Sequence, residues 1–184
     1  MKSLPKHIFT IDYFIRKAKA LEKMGADMIS VKDMAGLITP SVAGTLIKRL
    51  KEEVSVPVDF HTHCTPGYGL ASTLMAMIHG ADIVDTAIWS FAGGPAAPPF
   101  ELIQIFADKL GLETGVNREA VAAINQTLTG IREELAEHDA VKIIPKPFSL
   151  EDYKPERTIN RLFVKAIYMA KHDKEEELLD ACHE

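Results

Sequence analysis

His61 and His63 stand one residue apart at the end of a short apolar run, 56–61, and this spacing is the strongest chemical signal in the sequence. Alternate residues of an extended strand project to one side, so the two imidazoles leave a common face and can reach one metal ion. In parallel α/β proteins ligands gather at the carboxyl ends of the strands. The pair stands at such an end, followed by the loop 65–69 with Pro66, Gly67 and Gly69. Lys32 and Asp33 close the preceding apolar run, 28–33, and are taken as catalytic candidates; Lys32 lies 29 residues before His61 (61 − 32). Two readings of that lysine stay open at this point. Its stem can carry the ammonium to solvent or to a pairing with Asp33. Alternatively the amine, neutralised by burial, adds carbon dioxide to become a carbamate whose oxygens act like those of a carboxylate.

Two imidazoles and a carbamate, from His61, His63 and Lys32, would suit zinc, manganese or cobalt, with one further oxygen donor still to be supplied. Asp59 precedes His61 by two and shares its face, so it is a candidate to orient an imidazole from behind; a structural polar role fits it equally. Asp85 and Thr86 lie in a third strand run, 83–88. Cys64 falls on the face opposite His63 and is set aside as a ligand. His7, His79, His138, His172 and His183 lie on helices or at termini and are read as structural or exposed.

These residues need a parallel sheet to bring them together, and the surrounding pattern predicts one. Thr10 precedes Ile11, Phe14, Ile15, Ala18, Leu21 and Met24 at helical spacing, with Gly25 as the stop. Strand runs at 28–33, 56–61 and 83–88 alternate with two helices, one expected from an N-cap at Ser41 to Glu53, the other from Leu70 to Ile78. Strands joined by crossover helices pair in parallel. After the Gly/Pro-rich 93–99 a helix is expected over 100–110, ended by Gly111. Asn117 then caps a long helix whose Val121, Ile124, Leu128, Ile131 and Leu135 form a narrow apolar seam. The proline-bearing 142–155 reads as a connector to a final helix from about 156, with the charged run 171–177 as a solvated face. Two parts are therefore expected, an α/β segment over 1–112 and a helical extension over 113–184.

Composition narrows the classes. With 21 Lys and Arg against 26 Asp and Glu, the net charge is −5, and no basic cluster offers a phosphate backbone the contacts it needs, so no nucleic-acid partner is expected. No run reaches the roughly 18–20 apolar residues of a membrane span, and the first residues carry no apolar signal core. A cytoplasmic location is the expectation. Cys64 and Cys182 are far apart and read as free thiols. A closed (β/α)8 barrel takes about 250 residues and rarely fewer than about 200, so 184 residues that also carry long C-terminal helices hold at most part of one.

The ordered set Ala18-Lys19-Ala20-Leu21-Glu22-Lys23-Met24-Gly25-Ala26, Lys32-Asp33-Met34-Ala35-Gly36-Leu37, His61-Thr62-His63 with Thr65 and Gly67, and Asp85-Thr86-Ala87 spreads over about residues 9–100. It resembles the carboxyltransferase domain of biotin-dependent enzymes: pyruvate carboxylase in its single-chain and split forms, oxaloacetate decarboxylase alpha subunits and the transcarboxylase 5S subunit. The resemblance implies that the three strands are the last three βα units of a (β/α)8 TIM barrel, followed by C-terminal helices. It implies a carboxylated Lys32 and the ligands His61 and His63 on a divalent metal that polarises pyruvate or oxaloacetate. Biotin, carried on a separate domain or subunit, would bring or remove the carboxyl group. Aldol-type relatives such as hydroxymethylglutaryl-CoA lyase look similar at the histidine pair but carry a Gly-Asp-Thr type sequence where Lys32-Asp33-Met34 stands, so Lys32 points to carboxyl transfer.

The departures from the family pattern are large. Strands one to five are missing, and with them the aspartate that completes the metal shell and the arginine and glutamine that hold the keto acid. Pro95-Ala96-Ala97-Pro98 replaces a Thr-Ser-Gln-Pro type sequence. The downstream threonine segment, the Pro-Gly-Gly motif and a Met-Lys-Met biotin site have no counterpart. The implied activity then calls for a chain supplying the missing strands, or a homo-oligomer, together with a biotin carrier protein and a keto acid. The alternatives are a non-catalytic truncated remnant or assembly subunit of the same family and, more distantly, a metal-dependent hydrolase with a carbamylated lysine.

Overall fold

A computed structural model describes residues 9–138. Helix α1 (Ile11–Lys23) starts where Thr10 accepts the Tyr13 amide on its side chain at 3.2 Å. It is followed by β1 (Ile29–Asp33), α2 (Pro40–Glu53), β2 (Val58–Thr62), α3 (Gly69–Ile78) and β3 (Ile83–Val84). A 3-10 turn at Trp89–Phe91, α4 (Phe100–Leu110) and α5 (Arg118–Glu137) complete the described part. The three strands pair in parallel in the order β1-β2-β3. Each crossover is a helix, as parallel pairing demands.

The sheet has two unlike faces. Ile29, Val58 and Phe60 pack on Ile15, Ala18, Ala43, Leu46, Ile47 and Leu50 from α1 and α2 to form the main core. Removing a side chain such as Phe60 or Ile47 fully from water contributes about 1.5–3 kcal/mol each. The opposite face carries Ser30, Lys32, Asp59 and His61, the residues alternate to the core set. A second, smaller cluster joins Met77 to Ile103, Phe106 and Ala107 of α4.

Most helix boundaries agree with the sequence pattern. Gly111 ends α4 in the left-handed region at φ 72°, and Asn117 caps α5 by accepting the Ala120 amide. Two expectations are corrected. The cap of α2 is Thr39 rather than Ser41, because Pro40 takes the first helical position, where its missing N–H is not needed and its fixed φ suits the turn. The third strand, expected over 83–88, is only Ile83–Val84, because its ladder to β2 extends over just Asp59 and Phe60. Beyond it the chain continues through a single bridge, Ala87 to Pro99.

None of the α5 side chains is buried, and Ile124 and Ile131 of its seam are exposed. The helix is held at the 3-10 turn, where Ser90 bonds Asn125 and Thr129 at 2.6 and 2.7 Å. The connector 142–155, the helix expected from 156, the charged run 171–177, Cys182, His7, His172 and His183 lie outside the described residues. Glu101, in the first turn of α4, is buried; its Oε1 accepts the Trp89 amide and its Oε2 has no partner. Burial pushes this carboxyl above its ordinary value, against smaller opposing pulls from nearby backbone amides.

Candidate metal centre

Strand pairing puts the candidate residues on one rim. Lys32 is the register partner of His61, and Asp33 that of Thr62, so the 29-residue interval is one rung of the parallel ladder. His61 and His63 meet through their Nε2 atoms at 3.1 Å. Each ring is held from behind through its other nitrogen. His61 Nδ1 lies 2.7 Å from the Asp85 carboxylate, and His63 Nδ1 lies 2.5 Å from the Pro95 carbonyl oxygen. A carbonyl and a carboxylate only accept, so both rings carry a hydrogen on Nδ1.

That assignment leaves two Nε2 nitrogens facing each other. Two lone pairs at this distance are satisfied only by an electrophile they share, either a proton or a metal cation. Outer-nitrogen hydrogen bonds to a carboxylate and a backbone carbonyl are the usual support of metal-binding imidazoles. Nitrogens 3.1 Å apart can both reach an ion at the usual distance of about 2.0–2.1 Å. The donor set thus fits a borderline divalent ion, with Lys32 on the neighbouring strand as the natural third contributor once carboxylated. Among the described residues no three His, Cys, Asp or Glu side chains gather as a metal site, so the pair needs a donor of another kind.

Lys32 itself is exposed. Asp33 is not its ion-pair partner. The Asp33 carboxylate accepts the amides of Leu37 and Ile38 at 3.0 and 2.9 Å and the Thr62 hydroxyl at 2.9 Å, and it is buried. An aspartate so engaged faces the turn and not the rim, so direct contact with a substrate is not its geometry. Asp59, the expected imidazole partner, instead accepts the Ser30 hydroxyl at 2.6 Å. Asp85 fills the role in its place.

Pro95 had no signal in the sequence, because it acts through a main-chain oxygen that every residue carries. The rest of its loop works the same way, with Ala96 O accepting the Cys64 amide and Pro98 O that of Ala87. Cys64 stays outside the pair, beside Gly69 at the start of α3, and burial raises its thiol, with the Leu70 amide pulling the other way. His79 packs against Gly44 between α2 and α3, and His138 is exposed at the end of α5.

Two glycines let the loops close on His63. A Cβ on Gly36 would overlap the His63 carbonyl oxygen and sit 3.0 Å from Pro66 Cδ, and one on Gly69 would sit 2.7 Å from that same oxygen. Along the outer edge of β1 runs an apolar cavity of about 370 Å³, bordered by Phe14, Leu21, Val42, Leu46 and the Lys32–Asp33 end of the strand. Phe9, Phe14, Leu21 and Met28 stand exposed near that edge.

Residues 6–128 match the model of the HMGL-like family. The chain belongs to that family. The carboxyltransferase-bearing half of a split pyruvate carboxylase from Methanocaldococcus jannaschii is 42% identical over 127 residues, covering 69% of this chain and 22% of that protein. Pyruvate carboxylase of Staphylococcus aureus is 42% identical over 92 residues, covering 50% of this chain and 8% of that protein. Among solved structures, the carboxyl transferase domain of Rhizobium etli pyruvate carboxylase with pyruvate superposes with a TM-score of 0.64 at 30% identity, covering 81% of this chain and 24% of that one. This HMGL-like chain is therefore a homologue of the carboxyltransferase part of biotin-dependent enzymes, and its three-stranded sheet matches part of that TIM barrel. It spans under a third of the length of these relatives. No helix among the described residues is long and apolar enough to cross a membrane.

Proposed function

We propose that this chain is a component of a biotin-dependent carboxyltransferase that moves a carboxyl group between carboxybiotin and pyruvate or oxaloacetate. Lys32 as a carbamate, His61 and His63 would hold a divalent ion, zinc, manganese or cobalt, and Asp85 and the Pro95 carbonyl would orient the imidazoles. The observation that carries the reading is the pair of Nε2 atoms turned toward each other at 3.1 Å with both outer nitrogens engaged. When bound, the ion would polarise a keto-acid carbonyl and stabilise the negative charge that develops on its oxygen. The chain's own part is to keep both imidazoles neutral and aimed, and to hold an exposed amine one rung away, open to carbon dioxide. The remaining barrel strands, a further oxygen ligand and the biotin carrier come from outside these 184 residues.

The test is metal content and its dependence on bicarbonate. Incubated with Co(II) and bicarbonate, the chain should retain about one equivalent, as a preformed donor set does. Lys32→Ala should lose it, and removing bicarbonate should weaken retention by the wild type alone. Retention under about a tenth of an equivalent, indifferent to bicarbonate, would leave the non-catalytic remnant or assembly subunit as the better reading. Equal retention by Lys32→Ala would remove the carbamate.

A further inference from the structure

The site has a back as well as a front. Lys32, His61 and His63 lie on one side of the β1–β2 ladder, and the intervening residues Asp33 and Thr62 lie on the other. Asp33 and Thr62 form the last rung of that ladder, where both strands end. Thr62 donates its hydroxyl to Asp33 Oδ2 at 2.9 Å, and both residues are buried, Thr62 to 1% exposure and Asp33 to 9%. The same carboxylate takes the amides of Leu37 and Ile38, which bends the chain after β1 back over the strand ends.

A buried carboxylate and hydroxyl are a poor way to gain stability, since apolar residues of the same shape commonly do as well or better. What a buried, fully bonded polar pair supplies is position. Without it the final rung would rest on backbone bonds alone, and a shift there would move Lys32 and both histidines relative to each other, because they flank the rung. The branched Cβ of Thr62 further restricts its side chain to few rotamers.

We infer that the Asp33–Thr62 hydrogen bond sets the spacing of Lys32 against the His61–His63 pair, making Asp33 and Thr62 positioning residues of the site. The inference rests on the metal-centre reading, and its test separates the two. Thr62→Val removes the hydroxyl and keeps the shape; Thr62→Ser restores the hydroxyl. In the full chain with bicarbonate, Co(II) affinity followed by visible absorption should fall about 10–100-fold in Thr62→Val, the range for losing a supporting partner. Thr62→Ser should stay within about threefold of wild type, where a merely structural loss would follow side-chain volume instead. If Thr62→Val does not fold, Thr62→Ala against Thr62→Ser gives the same comparison.

Imidazole nitrogen NMR of the metal-free chain provides the second arm. In wild type and Thr62→Ser the His63 Nδ1 proton should be protected by Pro95; in Thr62→Val it should exchange, while the His61 proton on Asp85 persists. Equal Co(II) affinity in Thr62→Val and wild type overturns the inference. Should wild type bind no Co(II), the metal reading falls by itself, and the NMR arm alone decides: unchanged His63 signals in Thr62→Val then overturn the positioning role.

Discussion

Replacing Gly36 with alanine should disable the centre from a distance, and the size of the effect can be worked out by comparison with two other glycines. Gly36 has φ +66°, and a Cβ there would overlap the His63 carbonyl oxygen. Gly111 has a similar φ of +72° but nothing within 4 Å of its Cβ position. Gly69 has no positive φ, yet a Cβ there would lie 2.7 Å from the same His63 oxygen and 2.6 Å from Cys64 Sγ. Gly111→Ala therefore reports backbone strain alone, about 1–2 kcal/mol for an L-residue held left-handed. Gly69→Ala reports overlap alone, about 1–3 kcal/mol for a forced shift in a packed region, eased by the better helix propensity of alanine. Gly36→Ala combines both, at about 2–5 kcal/mol. Urea unfolding of the three variants, each against wild type, measures the series. Because the overlap in Gly36→Ala can be relieved only by moving the His63 backbone or the turn that carries Gly36, Co(II) affinity should drop in step with stability for Gly36→Ala and stay near wild type for Gly111→Ala. If Gly36→Ala is no more destabilised than Gly111→Ala, the two loops are not in contact as described, and the account of how His63 is held is wrong.

Two other outcomes are expected. Asp85→Asn should lower metal affinity about 10–100-fold, because an amide supports the His61 Nδ1 proton less well than a carboxylate, and isothermal titration with Zn(II) would read it; unchanged affinity would leave His61 without need of Asp85. Glu101 should make the fold less stable as pH rises. Its folded pKa is raised by burial, so the folded state holds the proton more tightly than the unfolded one, and stability is lost as pH climbs from about 4.5 through the raised value. Glu101→Gln should flatten that slope in urea midpoints taken between pH 4 and 8, whereas an unaltered slope would show that Oε2 is not truly unpaired.

Much of the scaffold was legible because its signals are local. Thr10, Asn117 and Gly111 mark helix ends through their own side chains or their lack of one, and the alternation of His61 and His63 is a property of any strand. The Lys32–His61 interval was legible for a related reason, since one crossover unit returns the chain to the adjacent rung. What escaped depends on the fold around it. Nothing local distinguishes Asp59 from Asp85 as the imidazole partner; the choice is made by β3, which brings Asp85 to His61 while Ser30 claims Asp59. The short third strand reflects the limited ladder it shares with β2, which no residue-level preference within 83–88 encodes. Gly36 and Gly69 read as ordinary turn glycines until both are seen against the same His63 oxygen.

The bare margin of β1 has a consequence for how such a protein is handled and assembled. A row of unpaired amides and carbonyls beside the apolar hollow lined by Phe14 and Leu21 is a template for any extended segment that comes near. The same margin ends at Lys32. A strand that zips onto it therefore shields a sticky surface and walls in the amine in one stroke, so that maturation of the chemistry and escape from aggregation become a single event with a shared concentration dependence.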